Sequence, residues 1–415
     1  MSSVEAPSLR IVVLCPHFAP DTAPTGTVMT RIVQELAELG HELHVVTSLP
    51  WYRAHRIEPG WEGGVGRSEP TEWGSITRVH PFPGSDKRKL LRRAVGFAGF
   101  SALAGLAGVR AGGWFRKADA VLAMSPPLTL GLTGWLVGLT HRAPLVFNIQ
   151  DVFPDAAVQT GALTNRRLIA IAGWLERVSY RRSRAITVLS DDLAANLAVK
   201  TDPAKLHVIP NFVDTSTIRP ADRITPYRAE LGIGAEPVVL YAGNVGFSQD
   251  LDLVVEAARR MPDITFLVNG DGSARAELQQ AAAAIPNVRF AGYKPIERLP
   301  EVLATGDVHV VPLRAGLSAV SVPSKTYSSL AAARPVVASI DAGTEIPRLL
   351  TAAGAGVAVP PGDADAFAAE LRALIDDPDR RAALGAAGRA WVEREASPAA
   401  VGRAYARLLA SVARR

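Results

Sequence analysis

LRIVVLCPHFAPDTAPTGTVMTRIVQELAELGHELHVVTS, residues 9–48, reads as a strand, a loop, a helix and a second strand. LRIVVLC is a short apolar, β-branched run, and ELHVVTS is another. Between them TVMTRIVQELAELG carries apolar residues at helical spacing and ends on Gly40, a residue suited to a helix C-terminus. That order makes one β-α-β unit with its strands parallel. Downstream, SITRVHPF, AVLAMS, APLVFNI, AITVLS and LHVIPN continue the series. The pattern breaks at VDTSTIRPADRITPYRAELGIG, where prolines and charges gather without periodicity. A second series then runs through PVVLYAG, ITFLVNG, VRFAGY, VHVVPL, PVVASI and GVAVPP, each followed by a helix-like segment. The chain of 415 residues is too long for one typical core. The fold class expected is therefore α/β, with two Rossmann-like domains. Residues 1–213 form the first, 214–234 a linker and 235–395 the second; a helix within 396–415 either finishes the second domain or crosses back to the first.

Composition narrows the setting. Apolar residues make up 48% and charged residues 20%, which suits a globular protein and excludes a disordered or fibrous one. The single cysteine, Cys15, sits in an apolar run, so no internal disulfide forms and a reducing compartment is expected. MSSVEAPSLR lacks the charged and apolar regions of a secretory signal, which points to the cytoplasm. The net charge of +5 is modest and carries no nucleic-acid signature, but its placement is uneven. Residues 86–117 set DKRKLLRR before a Gly/Ala-rich apolar run that is too short to span a bilayer. That run reads either as a helix packed on the first domain's core or as a peripheral contact with an anionic membrane, at the inner face of the cell membrane.

Ligands of open α/β sheets collect beyond the carboxyl ends of the strands, so the turns there are the candidates for phosphate chemistry. After the first strand, Gly26 precedes a helix, and the amides of Thr25, Gly26 and Thr27 are candidates for a pyrophosphate. No G-x-G-x-x-G occurs, which argues against a nicotinamide dehydrogenase. Gly243-Asn244-Val245-Gly246 forms a second small-residue turn, and Asp271 sits between Gly270 and Gly272, where it holds the turn or caps the next helix. The richest segment is RAGLSAVSVPSKTYSSLAAARPVVAS, with Arg314 and Lys325 as cations and Ser321, Ser324, Thr326, Ser328 and Ser329 as hydroxyls suited to a diphosphate.

YAGN, LVNGDG, FAGY, LPEVLATGDVHVVPL, ARPVVAS and GVAVPPGDADAFAAELRALIDDP together resemble the C-terminal domain of glycosyltransferase family 4. PHFAPDTAPTG, RIVQELAELGHELHVVTSLPWY and NIQDVFPDAAVQTG are similar to the branch of fucosaminyl and colanic-acid-type transferases of bacterial surface polysaccharides. The resemblance implies a GT-B fold of two Rossmann-like domains facing across a cleft, retention of anomeric configuration, a UDP- or GDP-sugar donor, and no required cofactor or metal. It also implies a base-reading position at Gly292, Tyr293 and Lys294, and a donor-side position at Glu345. Three departures stand out. The family's basic pair falls on Asn244 and Gln249, its two glutamates on Val320 and Ser328, and its first-domain histidine at Gln150-Asp151. Lys325, preceded by Pro323 and Ser324, is then the best-placed substitute cation, and Arg314 the second. Ser324 and Tyr327 are candidates for the lost ribose or phosphate bonding.

A retaining transfer must stabilise the leaving diphosphate and an oxocarbenium-like sugar, and the leaving phosphate oxygen itself can take the acceptor proton. Asp151 is then the candidate that orients the acceptor hydroxyl or balances charge at the anomeric carbon, with Asp155 competing. His17, at a strand end, and Trp51 and Tyr52, in a long aromatic loop, are acceptor-side candidates. The acceptor expected is a saccharide or lipid-linked saccharide. Two other readings share the fold: a nucleotide-sugar 2-epimerase, and a non-catalytic partner that binds nucleotide sugar without turnover.

Overall fold

The computed structural model describes residues 8–53, 55–83, 90–113, 116–154, 165–317 and 323–413. Residues 1–210 and 401–415 form one unit, and residues 211–400 another. In the first, β1 (Arg10–Leu14) and β2 (Glu42–Ser48) lie parallel with Val12 opposite His44, and α1 (Pro24–Glu38) connects them. Gly40 has φ +84°, so the chain leaves α1 through the left-handed residue that the sequence reading required. β3 (Gly66–Thr71) and β4 (Gly74–Val79) form an antiparallel hairpin on the far side of β2. β5 (Ala120–Ser125), β6 (Leu145–Ile149), β7 (Ala185–Val188) and β8 (Leu206–Val208) extend the sheet from β1. The order is β3-β4-β2-β1-β5-β6-β7-β8. β3 was not expected. Its sequence GRSEPT is polar and contains Pro70, which suits a strand bonded on one side only.

Three helices, α2 (Leu90–Val109), α3 (Thr129–His141) and α4 (Arg166–Arg182), lie side by side over this sheet. Phe100 and Ala104 of α2, Leu130 and Val137 of α3, and Tyr180 of α4 share one core with Val12, Val121 and Phe147 of the strands. The helix Pro398–Val412 completes the unit. Its Tyr405 is buried, and the hydroxyl meets Asn148 Nδ2 at 2.7 Å and Thr187 Oγ1 at 3.2 Å, at the ends of β6 and β7. Gly402 lies against α1, where a β-carbon would stand 2.4 Å from Glu35 Cβ.

The second unit is a six-stranded parallel sheet of β9 (Val238–Ala242), β10 (Thr265–Asn269), β11 (Val288–Ala291), β12 (Val308–Pro312), β13 (Val336–Ser339) and β14 (Gly356–Val359). Its order, β11-β10-β9-β12-β13-β14, places β9 and β12 together at the centre. Residues 214–234, expected to be a linker, are not one. They belong to this second unit. Tyr227 and Arg228 are among its most buried side chains. The Tyr227 hydroxyl donates to Asn269 Oδ1 at 2.5 Å, and Arg223 and Arg228 converge on Asp307, which also accepts the Val238 amide at 2.8 Å. The charges that made this stretch look solvated are those that fasten it to the sheet.

Candidate functional site

In the second unit the carboxyl ends of β9 and β10 are stacked backbone on backbone. The Gly243 amide donates to Asn269 O at 2.9 Å, and the Val245 amide to Asp271 O at 2.9 Å. Gly270 has φ +158°, and a β-carbon on it would stand 1.8 Å from the Gly243 carbonyl oxygen, so only glycine permits this approach. The Gly246 amide is taken by Gln249 Oε1 at 3.0 Å. The expectation that the Gly243 turn offers its amides to phosphate is corrected for Gly243, Val245 and Gly246, whose amides are engaged within the two turns. Asp271 likewise serves the turn, accepting the Gly272 amide at 2.8 Å.

What the turn does receive is a cation. Lys325 opens the helix Lys325–Ala331, whose chain follows β12, the neighbour of β9. Its Nζ donates to Tyr241 Oη at 3.0 Å and lies 4.7 Å from the centre of that ring. Tyr241 Oη in turn donates to the Asn244 carbonyl at 2.5 Å. A β-carbon at Gly243 would come within 3.1 Å of Lys325 Cε, so the glycine leaves room for the lysine. Among the described residues no carboxylate pairs with this amine, and burial pulls its pKa down to about 8. Burial also opposes ionisation of Tyr241, which keeps its hydroxyl a donor. Tyr241 is the partner that sequence reading missed. Nothing in the spacing of positions 241 and 325 marks them as neighbours; only the β9–β12 pairing does.

The other donor-side candidates separate. Arg314 donates from Nε to Phe247 O at 2.7 Å and faces Asp252 at 3.4 Å, clipping the 245–252 turn beside a small cavity lined by Leu251 and Glu277. Among the described residues it shares no partner with Lys325. Tyr293 is 60% exposed, with its hydroxyl 3.4 Å from Asp271 O. Lys294 is engaged by Glu230 at 2.9 Å and lies over the Tyr227 ring. Tyr327 is corrected to a core residue: it is buried against Trp391, and burial, with Glu345 nearby, pushes its ionisation up. Pro323, Thr326 and Ser329 are also buried, whereas Ser324 is exposed. Glu345 stands in the first turn of the helix Glu345–Ala353, 3.4 Å from Arg348. Val320 and Ser321 lie outside the described residues.

In the first unit the loop after β1 brings together what was expected only singly. His17 Nδ1 meets Asp21 Oδ2 at 2.7 Å, and both residues are buried. Asp21 Oδ1 accepts the Tyr52 amide at 3.2 Å. The His17 ring lies 5.5 Å from Trp51 and 5.4 Å from Tyr52, and His55 joins the same aromatic group. Asp21 was missed, although a carboxylate four residues after a strand-end histidine was the signal. Gly26 is a packing glycine: a β-carbon would stand 2.8 Å from His17 Cβ. The Thr27 amide donates to Ala23 O at 3.0 Å, so it is not offered to pyrophosphate. Asp151 follows Gln150, which is buried and donates to Asn148 Oδ1 at 2.9 Å. Its own surface is open to solvent, yet enough protein crowds the carboxyl that lost hydration raises its pKa. Asp155 lies outside the described residues.

Two family models match the chain. The one described as Glycosyl transferase 4-like domain covers residues 25–211, and the one described as Glycosyl transferases group 1 covers residues 236–377. The chain is 27% identical over 384 residues to the putative colanic acid biosynthesis glycosyl transferase WcaI of Escherichia coli K12, covering 88% of this chain and 92% of WcaI. Among solved structures it is similar to sucrose-phosphate synthase from Thermosynechococcus elongatus, with TM-score 0.70, 18% identity, and 97% and 100% of the two chains covered. It is also similar to Anabaena HepE in complex with UDP, with TM-score 0.68, 15% identity, and 97% and 100% covered. At these identities the structural likenesses speak to the fold alone.

Proposed function

The chain belongs to the glycosyl transferases that these two models describe, with a two-domain α/β fold of the GT-B type, and from that premise we propose that it is a retaining enzyme of cell-surface glycan synthesis. In this reading it moves a sugar from a UDP- or GDP-sugar to a saccharide or lipid-linked saccharide. The observation that carries the proposal is Lys325: a half-buried ammonium with no carboxylate partner among the described residues, held at the carboxyl end of β9, one of the two central strands of the second unit.

The bond from the anomeric carbon to the diphosphate oxygen breaks, and a bond from that carbon to the acceptor oxygen forms on the same face. The acceptor proton passes to the departing phosphate oxygen. Charge therefore builds on the leaving diphosphate, and Lys325 offers it an ammonium in a partly dehydrated setting where such attraction is strong. In this role the lysine stands in for the family's basic pair, and the step calls for no metal or other cofactor. Asp151 orients the acceptor hydroxyl. Asp21, by accepting from His17 Nδ1, fixes the imidazole so that Nε2 accepts a hydrogen bond from an acceptor sugar. Tyr293 offers an exposed ring for the nucleotide base.

A thermal-shift panel of UDP- and GDP-sugars tests donor binding, because a ligand of the native state raises its melting temperature. Transfer to a membrane acceptor fraction, followed by NMR of the new linkage, tests the rest. An inverted product removes the retention claim. Release of UDP from donor alone, with a 2-epimerised sugar, makes the enzyme an epimerase instead.

A further inference from the structure

The helix layer α2–α3–α4 of the first unit carries apolar side chains on its outward face as well as in its core. On α2 the outward stripe is Val95, Ala98, Ala102, Leu106 and Val109, without a polar side chain. Its small residues turn inward: a β-carbon on Gly108 would stand 2.9 Å from Val137 of α3, and one on Gly105 3.2 Å from Thr133. Leu106 is 65% exposed, whereas a helix facing water carries its polar residues outward. The neighbours continue the pattern. Leu136 and Leu139 of α3 are exposed, as are Ile171 and Trp174 of α4. The α4 stripe that carries Ile171 and Trp174 also carries Arg167, Arg177 and Arg181. Arg182 lies 4.3 Å over the Trp135 ring of α3, tying the two helices at the same surface.

The charge on this layer is one-sided. α2 and α3 contain no carboxylate, and the one acid on α4, Glu176, is buried and paired with Lys200 at 2.9 Å. Among the described residues of these helices the outward face thus offers apolar side chains, a tryptophan and arginines with no exposed carboxylate. No helix among the described residues is long and apolar enough to cross a membrane. Apolar groups that insert shallowly, ringed by guanidinium groups that meet headgroup phosphates, match an anionic lipid surface. We propose that the α2–α3–α4 face docks on such a surface, a broader contact than the 86–117 segment suggested by sequence. The proposal does not rest on the transferase reading.

The test is co-sedimentation of the full chain with vesicles of phosphatidylcholine alone and with equimolar phosphatidylcholine and phosphatidylglycerol. Binding to the anionic vesicles that weakens with added salt is expected, with little to the neutral ones. Leu106→Glu with Trp174→Glu should lower it at least tenfold. Arg167→Gln and Arg181→Gln should each lower it about fivefold, and they keep the test open if the glutamate variants fail to fold. Equal binding to both vesicles, wild type remaining in the supernatant, or arginine variants binding like wild type would overturn the proposal. So would a concentration-dependent dimer in sedimentation velocity that Leu106→Glu abolishes, because the occupant would then be a second copy.

Discussion

Replacing Lys325 by methionine removes one positive charge while keeping most of the side chain that packs over Tyr241 and beside Gly243. An ammonium about 4 Å from one phosphate charge, at an effective dielectric near 20, gains about 4 kcal/mol. Against this stands the Nζ hydrogen bond to Tyr241, 3.0 Å long, which the ligand displaces or shares, worth about 1 kcal/mol. The pKa of about 8 leaves the amine mostly protonated at neutral pH, so protonation costs little there. The net loss expected for Lys325→Met is about 2 to 3 kcal/mol, or roughly 30- to 150-fold in Kd. Isothermal titration with UDP and with GDP measures it. The same experiment at about pH 9 adds a second signature, since most of the amine is then neutral and wild-type affinity should fall about tenfold. The methionine variant should show no such fall.

The stability sign is opposite to that of damage. Because the folded pKa lies below the ordinary 10.5, burial penalises the charged amine at pH below about 8, and the penalty lifts as pH rises toward 10.5. Lys325→Met should therefore melt no lower than wild type at neutral pH, with the two converging in alkali. A variant that binds within twofold of wild type, or a wild type whose affinity is unchanged between the two pH values, would refute the lysine's role. A wild type that binds neither nucleotide refutes the donor reading itself.

Asp151→Asn should cut turnover at saturating donor by at least tenfold. Relief of the carboxylate's lost hydration should keep its melting temperature at or above wild type at neutral pH, and unchanged turnover would return the residue to a structural part. Gly270→Ala drives a β-carbon into the Gly243 carbonyl at a φ that side chains rarely adopt, and should cost about 2 to 4 kcal/mol in urea denaturation. A denaturation midpoint equal to wild type would mean the two turns are not stacked as described. Tyr405→Phe removes the hydroxyl that meets Asn148 and Thr187 and should cost about 1 to 2 kcal/mol, seen as a lower denaturation midpoint.

The parallel strands were legible because burial on both faces leaves continuous β-branched runs such as RIVVL and VVLYA. β3 was not, because an edge strand of GRSEPT needs no apolar face. Arg223 and Arg228 misled for a related reason: composition shows a charge but not its partner, and Asp307 lies 84 and 79 positions away. Of the candidate site, Lys325 was legible as a cation after a strand end, while Tyr241, which holds it, was not. Tyr327 and Lys294 carry groups suited to a ligand, but the fold spends the first on Trp391 and the second on Glu230. His17 was visible at a strand end. Asp21 escaped because Phe18, Ala19 and Pro20 separate it in the chain from the histidine it faces.

The first unit is assembled from residues 1–210 and 401–415, with all of 211–400 between them. On a ribosome the Asn148 and Thr187 side chains emerge long before Tyr405, their buried partner, has been made. At ordinary rates of synthesis the wait is on the order of ten to forty seconds. During that interval the nascent sheet stands without its closing helix, so slower synthesis of the second unit lengthens the exposure of the first to aggregation and to chaperones.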